Sequence, residues 1–510
     1  MKGTRCLTPV MAFAGATAVA AAAVTSDGAH ARPQCCKALS KVPELKGQVY
    51  LPDNAAYSER METYWSLSAA LEPWCMVMPK TVEGVSAAMT TIVKNKCPFG
   101  IRGGGHGTHA LANSLEEGVT IDMGNFNQTT YDADTKLASI GPGGHWGDVY
   151  DALTPHGVTV TGGRAGSVGV GGFLTGGGNS FHSASHGFAC DQVANFEVVL
   201  ADGSVVDANE DENPDLWQAL KGGSGNFGLV TRYDLHAIEF ADPAEPNIWG
   251  GIVGFEYAQT DPIIDAFIAF TDNVPNDVYS SSIMGWGYDP SNGGFAIRCV
   301  LDNVANVAYA PAFDGYLAVE GQTSNSLRSG TMSNITTELI RDYRTYTIWF
   351  TGTYKNDARV LKFISDKHEA LMLAIEDKIG TETGMFSSCQ AQPMTAPMVA
   401  QAKGHNSLGL EDRVAEGPGF MFLMYFGVES ADHEAVAFPM IRDFFDEVED
   451  YADSLDANWN WSYLNYAHYV QDPISGYGEE SIQRLRAASA KYDPKGVFQK
   501  LRHSGFKIPK

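Results

Sequence analysis

Basic residues are scarce in this chain: 35 lysines and arginines face 60 aspartates and glutamates over 510 residues, a formal net charge of −25. Such a balance disfavours nucleic acid and anionic membrane as partners and favours a soluble protein that repels its neighbours and takes a small or neutral ligand. After the first 31 residues no apolar stretch reaches the roughly 18 residues that a membrane span needs. Internal repeats and low-complexity linkers are absent. No paired C-x-x-C spacing suggests zinc, no P-loop is present, and no G-x-G-x-x-G stands in the strand-to-helix context, with its distal acid, that defines a Rossmann site.

The N-terminus carries Lys2 and Arg5, an alanine-rich run from Leu7 to Val24, and Ala29-His30-Ala31. That order reads as a secretory signal over residues 1–31, removed before Arg32 or nearby, and predicts a secreted or lumenal protein. Seven cysteines then remain, an odd number in a compartment where disulfides persist. One bridge from Cys35 or Cys36 to Cys97 or Cys75 is expected to tie down the N-terminal segment, whereas Cys190 and Cys389 sit in apolar runs and read as buried thiols. Asn127, Asn334 and Asn460 head glycosylation sequons.

What the chain has in quantity is glycine, 54 residues, concentrated near strand and helix ends. Ile101-Arg-Gly-Gly-Gly-His-Gly107 predicts a strand running into a backbone nest, because glycine allows positive φ and lets successive N–H groups converge on an anion. Further glycine segments at 162–172, 176–179 and 222–228 predict one backbone wrapped around an extended polyanion such as a diphosphate. Short strands at Cys75–Met78, Phe99–Arg102, Val119–Met123 and Phe196–Leu200, with a helix over Thr81–Lys94, predict a mixed α+β fold in the first half. Longer strands follow at Gly250–Tyr257, Ser281–Tyr288, Phe295–Val300, Thr345–Thr353, Phe386–Gln392 and Phe420–Val428, with helices at Pro262–Thr271, Ala358–Glu376 and His433–Ala452. A sheet covered by helices on one side, its open face roofing a ligand, accommodates that pattern. His182, His186 and Cys190 have helical spacing, but they fall inside a glycine-bearing motif that explains the segment without metal.

Taken in order, Arg102-Gly-Gly-Gly-His106, Ile121-Asp-Met-Gly-Asn-Phe-Asn127, Ser167-Val-Gly-Val-Gly-Gly172, Gly176-Gly-Gly178, Asp191-Gln-Val193, Ala201-Asp-Gly203, the run Asn213 to Val230 and Tyr463-Leu-Asn-Tyr466 resemble the berberine-bridge-enzyme-like, FAD-linked oxidases. These are members of the vanillyl-alcohol-oxidase/PCMH flavoprotein superfamily, and the likeness is greatest to fungal members. The resemblance implies a two-lobed FAD-binding domain of PCMH type over residues 32–240, with its core at about 70–240. It also implies an inserted substrate domain over 241–458, with an antiparallel sheet covered by helices, and a C-terminal segment, 459–510, returning to the first domain.

The same resemblance makes His106 the residue joined to the 8α-methyl of the flavin, and Tyr466 the active-site base. It implies cofactor contacts from Arg102, Gly103, Gly104, Gly105 and Gly107, from Val168, Gly169, Gly171, Gly172, Gly176 and Gly177, and from Asn179, Val230 and Asn465. Ala165 stands where many relatives carry a second anchoring cysteine, so attachment through one histidine is expected. Val168, smaller than leucine, is expected to leave room for dioxygen. A tyrosine base needs a cationic or hydrogen-bonding neighbour, and the sequence does not identify one. Gln390 and Gln392 alternate on one strand and point to one face; with Asn406, its neighbour His405, and Tyr463 they are the expected substrate contacts. The activity implied is a secreted oxidase taking hydride from a small alcohol, phenolic or specialised metabolite and reducing dioxygen to hydrogen peroxide. A carbohydrate oxidase, a flavin dehydrogenase with another acceptor, and a silent binding or defence protein are the alternatives.

Overall fold

The computed structural model describes residues 34–242, 245–341, 344–402 and 404–510; the expected secretory signal lies outside them. Among the described residues no helix is long and apolar enough to cross a membrane.

The first half builds two small sheets. Cys75–Val77, Val119–Asp122 and Phe99–Arg102 pair in parallel, with Val49–Tyr50 added antiparallel at the edge. Helix Val82–Asn95 makes the crossover; the Thr81 side chain caps it by accepting from the Gly84 N–H, and Lys96 in the left-handed conformation ends it. Strands Thr129–Asp132, Leu137–Ile140, Leu229–His236, Val193–Val199 and Val205–Asn209 form a second, antiparallel sheet. Two disulfides, Cys35–Cys97 and Cys36–Cys75, staple the N-terminal segment to the first sheet, where a single bridge had been expected. Adjacent cysteines on one helical turn face two different elements, and each finds its own partner. Cys190, Cys299 and Cys389 are buried thiols.

The second half is one antiparallel sheet whose main path runs Gln322–Asn325, Ile248–Glu256, Gly294–Asn303, Ser280–Asp289, Phe386–Met394, Gly419–Val428 and Tyr346–Lys355. Helices Thr260–Asn273, Ala358–Ile379 and Ala431–Ser454 cover one face and enclose a core that includes Phe267, Phe350, Ile364, Phe422 and Phe445. Strand Gly419–Val428 is buried along its whole length, because one face meets that core and the other meets the first half of the molecule. The chain then crosses back: Phe99 accepts from the His503 N–H at 2.8 Å and donates to the Leu501 carbonyl at 2.9 Å, so the C-terminal segment extends the first sheet beside the glycine loop.

Candidate active site

Strand Phe99–Arg102 delivers Gly103–Gly107 to a cavity of about 830 Å³ lying between the first half and the open face of the large sheet. The glycines are there for contact. A Cβ on Gly104 would stand 2.5 Å from the Gly169 Cα, and one on Gly169 would stand 2.6 Å from the Gly104 Cα, so the two loops touch backbone to backbone. Gly105 has φ +80°, and a side chain there would strike the Arg102 guanidinium at 2.6 Å.

Arg102 departs from expectation. It is fully buried beneath the loop and does not line the cavity. Its guanidinium donates to Thr63 Oγ1 at 2.6 Å and to the Arg60 carbonyl at 2.9 Å, lies over the Tyr64 ring at 3.8 Å, and faces Asp122 at 3.4 Å. A strand-end arginine is long enough to fold back, and the buried Asp122 carboxylate holds it there. Its role in the structure is to prop the loop.

His106 lies on the cavity wall, its ring stacked on Trp65 at 4.3 Å and 18°. Burial pushes its pKa down to about 4, so the imidazole is neutral at physiological pH. His145 Nε2 sits 3.0 Å from the Gly104 carbonyl and fixes the turn before it.

Opposite, Tyr463, Asn465 and Tyr466 line the cavity from a short 3₁₀ turn. The Tyr463 hydroxyl accepts from the Asn179 N–H at 2.7 Å and from Asn465 Nδ2 at 3.0 Å, tying this turn to the glycine segment. Arg164 Nη2 donates to Tyr466 Oη at 2.8 Å and to Gln392 Oε1 at 2.6 Å, and Asn179 Nδ2 donates to the same Gln392 oxygen at 3.3 Å. Arg164 is therefore the cationic neighbour that the sequence left unidentified. It stands next to Ala165, which lines the cavity; among the described residues no cysteine does.

The sheet side contributes an aromatic wall. Tyr466 and Trp349 meet edge to face at 5.3 Å, Trp349 and Tyr425 are 5.3 Å apart, and Tyr425 and Phe386 are 5.1 Å apart. Trp65 closes the corner at 5.6 Å from Trp349. Gly285, Gly287 and Ala296 leave the adjoining strands nearly bare of side chains, and Gln390 supplies a polar group among them. Isolated aromatics on three strands carry no common spacing, which is why sequence reading passed over them.

Of the expected cofactor-side residues, Gly103, Gly104, Gly105, His106, Gly107, Val168, Gly169, Gly171, Gly172, Asn179, Val230, Asn465 and Tyr466 all line this cavity. Gly176 and Gly177 do not: a Cβ on Gly176 would collide with the Asn465 side chain, and Gly177 packs on Leu408 and Tyr463. Gln392 sits behind the wall as the partner of Arg164. Asn406 is buried outside the cavity, donating to Asp191 Oδ1 at 2.8 Å, and His405 packs toward Trp217 at 5.6 Å. That loop serves the half-buried Asp191, whose carboxyl pKa desolvation pushes up to about 6, so Asn406 makes no cavity contact.

The cavity suits a large dinucleotide cofactor in three respects. Its volume lies in the upper part of the roughly 300–1,000 Å³ usual for ligand sites, its glycine loops present backbone where a Cβ would intrude, and its histidine is neutral.

A model of the FAD binding domain matches residues 73–209. The FAD-dependent monooxygenase sdcF of Emericella nidulans is 38% identical over 478 residues, 93% of this chain and 98% of that protein. Among solved structures, a variant of berberine bridge enzyme in complex with (S)-reticuline superposes with a TM-score of 0.72 at 15% identity, covering 94% of this chain and 99% of that one. A glucooligosaccharide oxidase from Acremonium strictum, described with a 6-S-cysteinyl, 8α-N1-histidyl FAD, gives 0.72 at 19% identity, covering 91% and 97%. At such identities the likeness to the solved structures is one of fold.

Proposed function

Because the chain belongs to the berberine-bridge-enzyme-like, FAD-linked oxidoreductases, we propose that it oxidises a small planar aromatic or phenolic metabolite and returns the electrons to dioxygen. FAD, when bound, supplies the hydride acceptor and the site of reoxidation. The observation that carries the reading is the Arg164 to Tyr466 hydrogen bond at 2.8 Å, set at one end of an aromatic wall.

Tyr466, acting as its phenolate, accepts the substrate hydroxyl proton on Oη as the neighbouring C–H gives up its hydride; loss of that proton and hydride turns a carbinol into a carbonyl. Arg164 donates into the Tyr466 oxygen and so offsets the negative charge of the phenolate, which is lost as the proton arrives. Gln392, accepting from both Arg164 and Asn179, keeps the guanidinium in place. Tyr463 and Asn465 hold the 3₁₀ turn that aims Tyr466. His106, neutral and stacked on Trp65, is the residue proposed to carry the flavin, and Ala165 leaves no thiol for a second link. Val168, β-branched and short, leaves space for dioxygen, which takes two electrons and two protons to become hydrogen peroxide.

The wall built from Trp349, Tyr425 and Phe386 offers ring surfaces on which a flat aromatic ring can pack. Two disulfides support export to an oxidising compartment. Acid precipitation of the purified protein should leave a yellow pellet with one FAD mass on the peptide containing His106, and a phenolic panel should bleach the flavin and release peroxide. Flavin freed into the supernatant would remove the covalent link; a flavin bleached only by sugars would overturn the substrate class.

A further inference from the structure

At the far end of the aromatic wall stands a guanidinium that no acid among the described residues pairs. Arg341 lines the cavity, its Cζ 6.0 Å from the Tyr425 ring centroid and 5.5 Å from that of Phe386. Among the described residues it makes no ion pair and no hydrogen bond, in a chain that carries 60 acidic residues. The nearest cavity-lining carboxylate in sequence, Glu338, is already taken by Arg328 and by the Ser326 hydroxyl. Ring faces satisfy the charge only in part, contributing about 0.5–2 kcal/mol, and leave a planar fork of N–H donors without acceptors among the described residues. That fork matches two oxygens sharing one negative charge.

The wall sets the distance between the two polar ends. From Tyr466 to Trp349 is 5.3 Å, from Trp349 to Tyr425 another 5.3 Å, and Arg341 follows at 6.0 Å. Beside this track the sheet is thinned by Gly285, Gly287 and Ala296, so a flat molecule can lie along it. Arg298 lines the same side and adds charge of the same sign.

Resting on the aromatic-substrate reading above, we propose that Arg341 is an anion-recognition residue and that the substrate is a planar aromatic bearing a carboxylate or an ionised phenol. The anion seats on Arg341 while the reacting carbon reaches Tyr466. Recognition of this kind fixes which end of a flat ring system approaches the catalytic tyrosine, a choice that stacking alone leaves open.

The test is calorimetric binding of 2-naphthoate and of its neutral counterpart 2-naphthamide to the holoenzyme. The wild-type protein should prefer the acid by about tenfold or more, the usual worth of a hydrogen bond to a charged group. R341Q should erase the preference and R341K should keep part of it, with melting temperatures confirming that both variants fold. Equal affinities in the wild type, no binding of the acid, or a preference that survives in R341Q each overturn the proposal. Flavin content is measured on the same samples: a protein without flavin counts against the oxidase reading, while the acid-to-amide ratio still decides the role of Arg341.

Discussion

Arg164 reaches Tyr466 across 302 residues of chain, and in the proposed reaction it acts through that hydroxyl. A residue acting through another leaves a recognisable signature: once the second is removed, losing the first costs little more. Tyr466→Phe is expected to slow anaerobic flavin reduction by about 10²–10⁴-fold, the usual range for a general base, and Arg164→Gln by about tenfold to a hundredfold, the worth of one charge-assisted hydrogen bond. The double variant should be no slower than Tyr466→Phe alone. Stopped-flow reduction of all three proteins measures this, and additive losses would show that Arg164 meets the substrate directly. His106 illustrates the same scale from the other side, since its neutral state follows from burial and no neighbouring acid is involved.

Among elements, the decisive contact joins two loops that the sequence showed separately. Gly104 and Gly169 meet with no space for a methyl group, because each would-be Cβ stands about 2.5 Å from the other's Cα. Gly104→Ala should therefore force the loops apart and deform the cavity wall between them, costing about 1–3 kcal/mol of stability by overpacking. Flavin content and melting temperature should fall together; an alanine variant that loads and melts like the wild type would refute the back-to-back packing. Much of this level was legible beforehand. Strand Phe99–Arg102 begins and ends where the residues indicated, since glycine marks its end and apolar residues its body. The sheet strands and three long helices were visible for the same reason, periodicity being a local property. What local reading could not reach was pairing across distance: Arg164 with Tyr466, Trp65 with His106, and a wall drawn from three strands. Asn406 shows the converse error, a polar loop residue assigned to ligand that in fact satisfies the half-buried Asp191.

For the molecule as a whole, acid is the informative stress, because neutral histidines are buried in separate regions. His182 in the first half, His368 between sheet and helices, and His468 in the C-terminal return are each pushed down to about 3 by burial. An unfolded histidine titrates near 6.5, so below that pH the unfolded chain binds protons that the folded chain refuses. The resulting stability is present in full above pH 6.5 and drains away as pH falls toward 3, at about 1.4 kcal/mol per pH unit for each group. Raised carboxyls act in the opposite sense: Asp191, at about 6 when folded, gains stability as pH falls through that value toward the carboxylate range. The total slope thus mixes both signs, and a single histidine is isolated by replacement. His368 Nε2 lies 2.7 Å from Ser387 Oγ, a hydrogen bond that glutamine can retain. Between pH 7 and pH 4 the wild type should lose about 3 kcal/mol more than His368→Gln does, read from denaturant midpoints of the two proteins across that range. Parallel curves would mean that the His368 site admits the proton in the folded state, and with it water, between the large sheet and the helices that cover it.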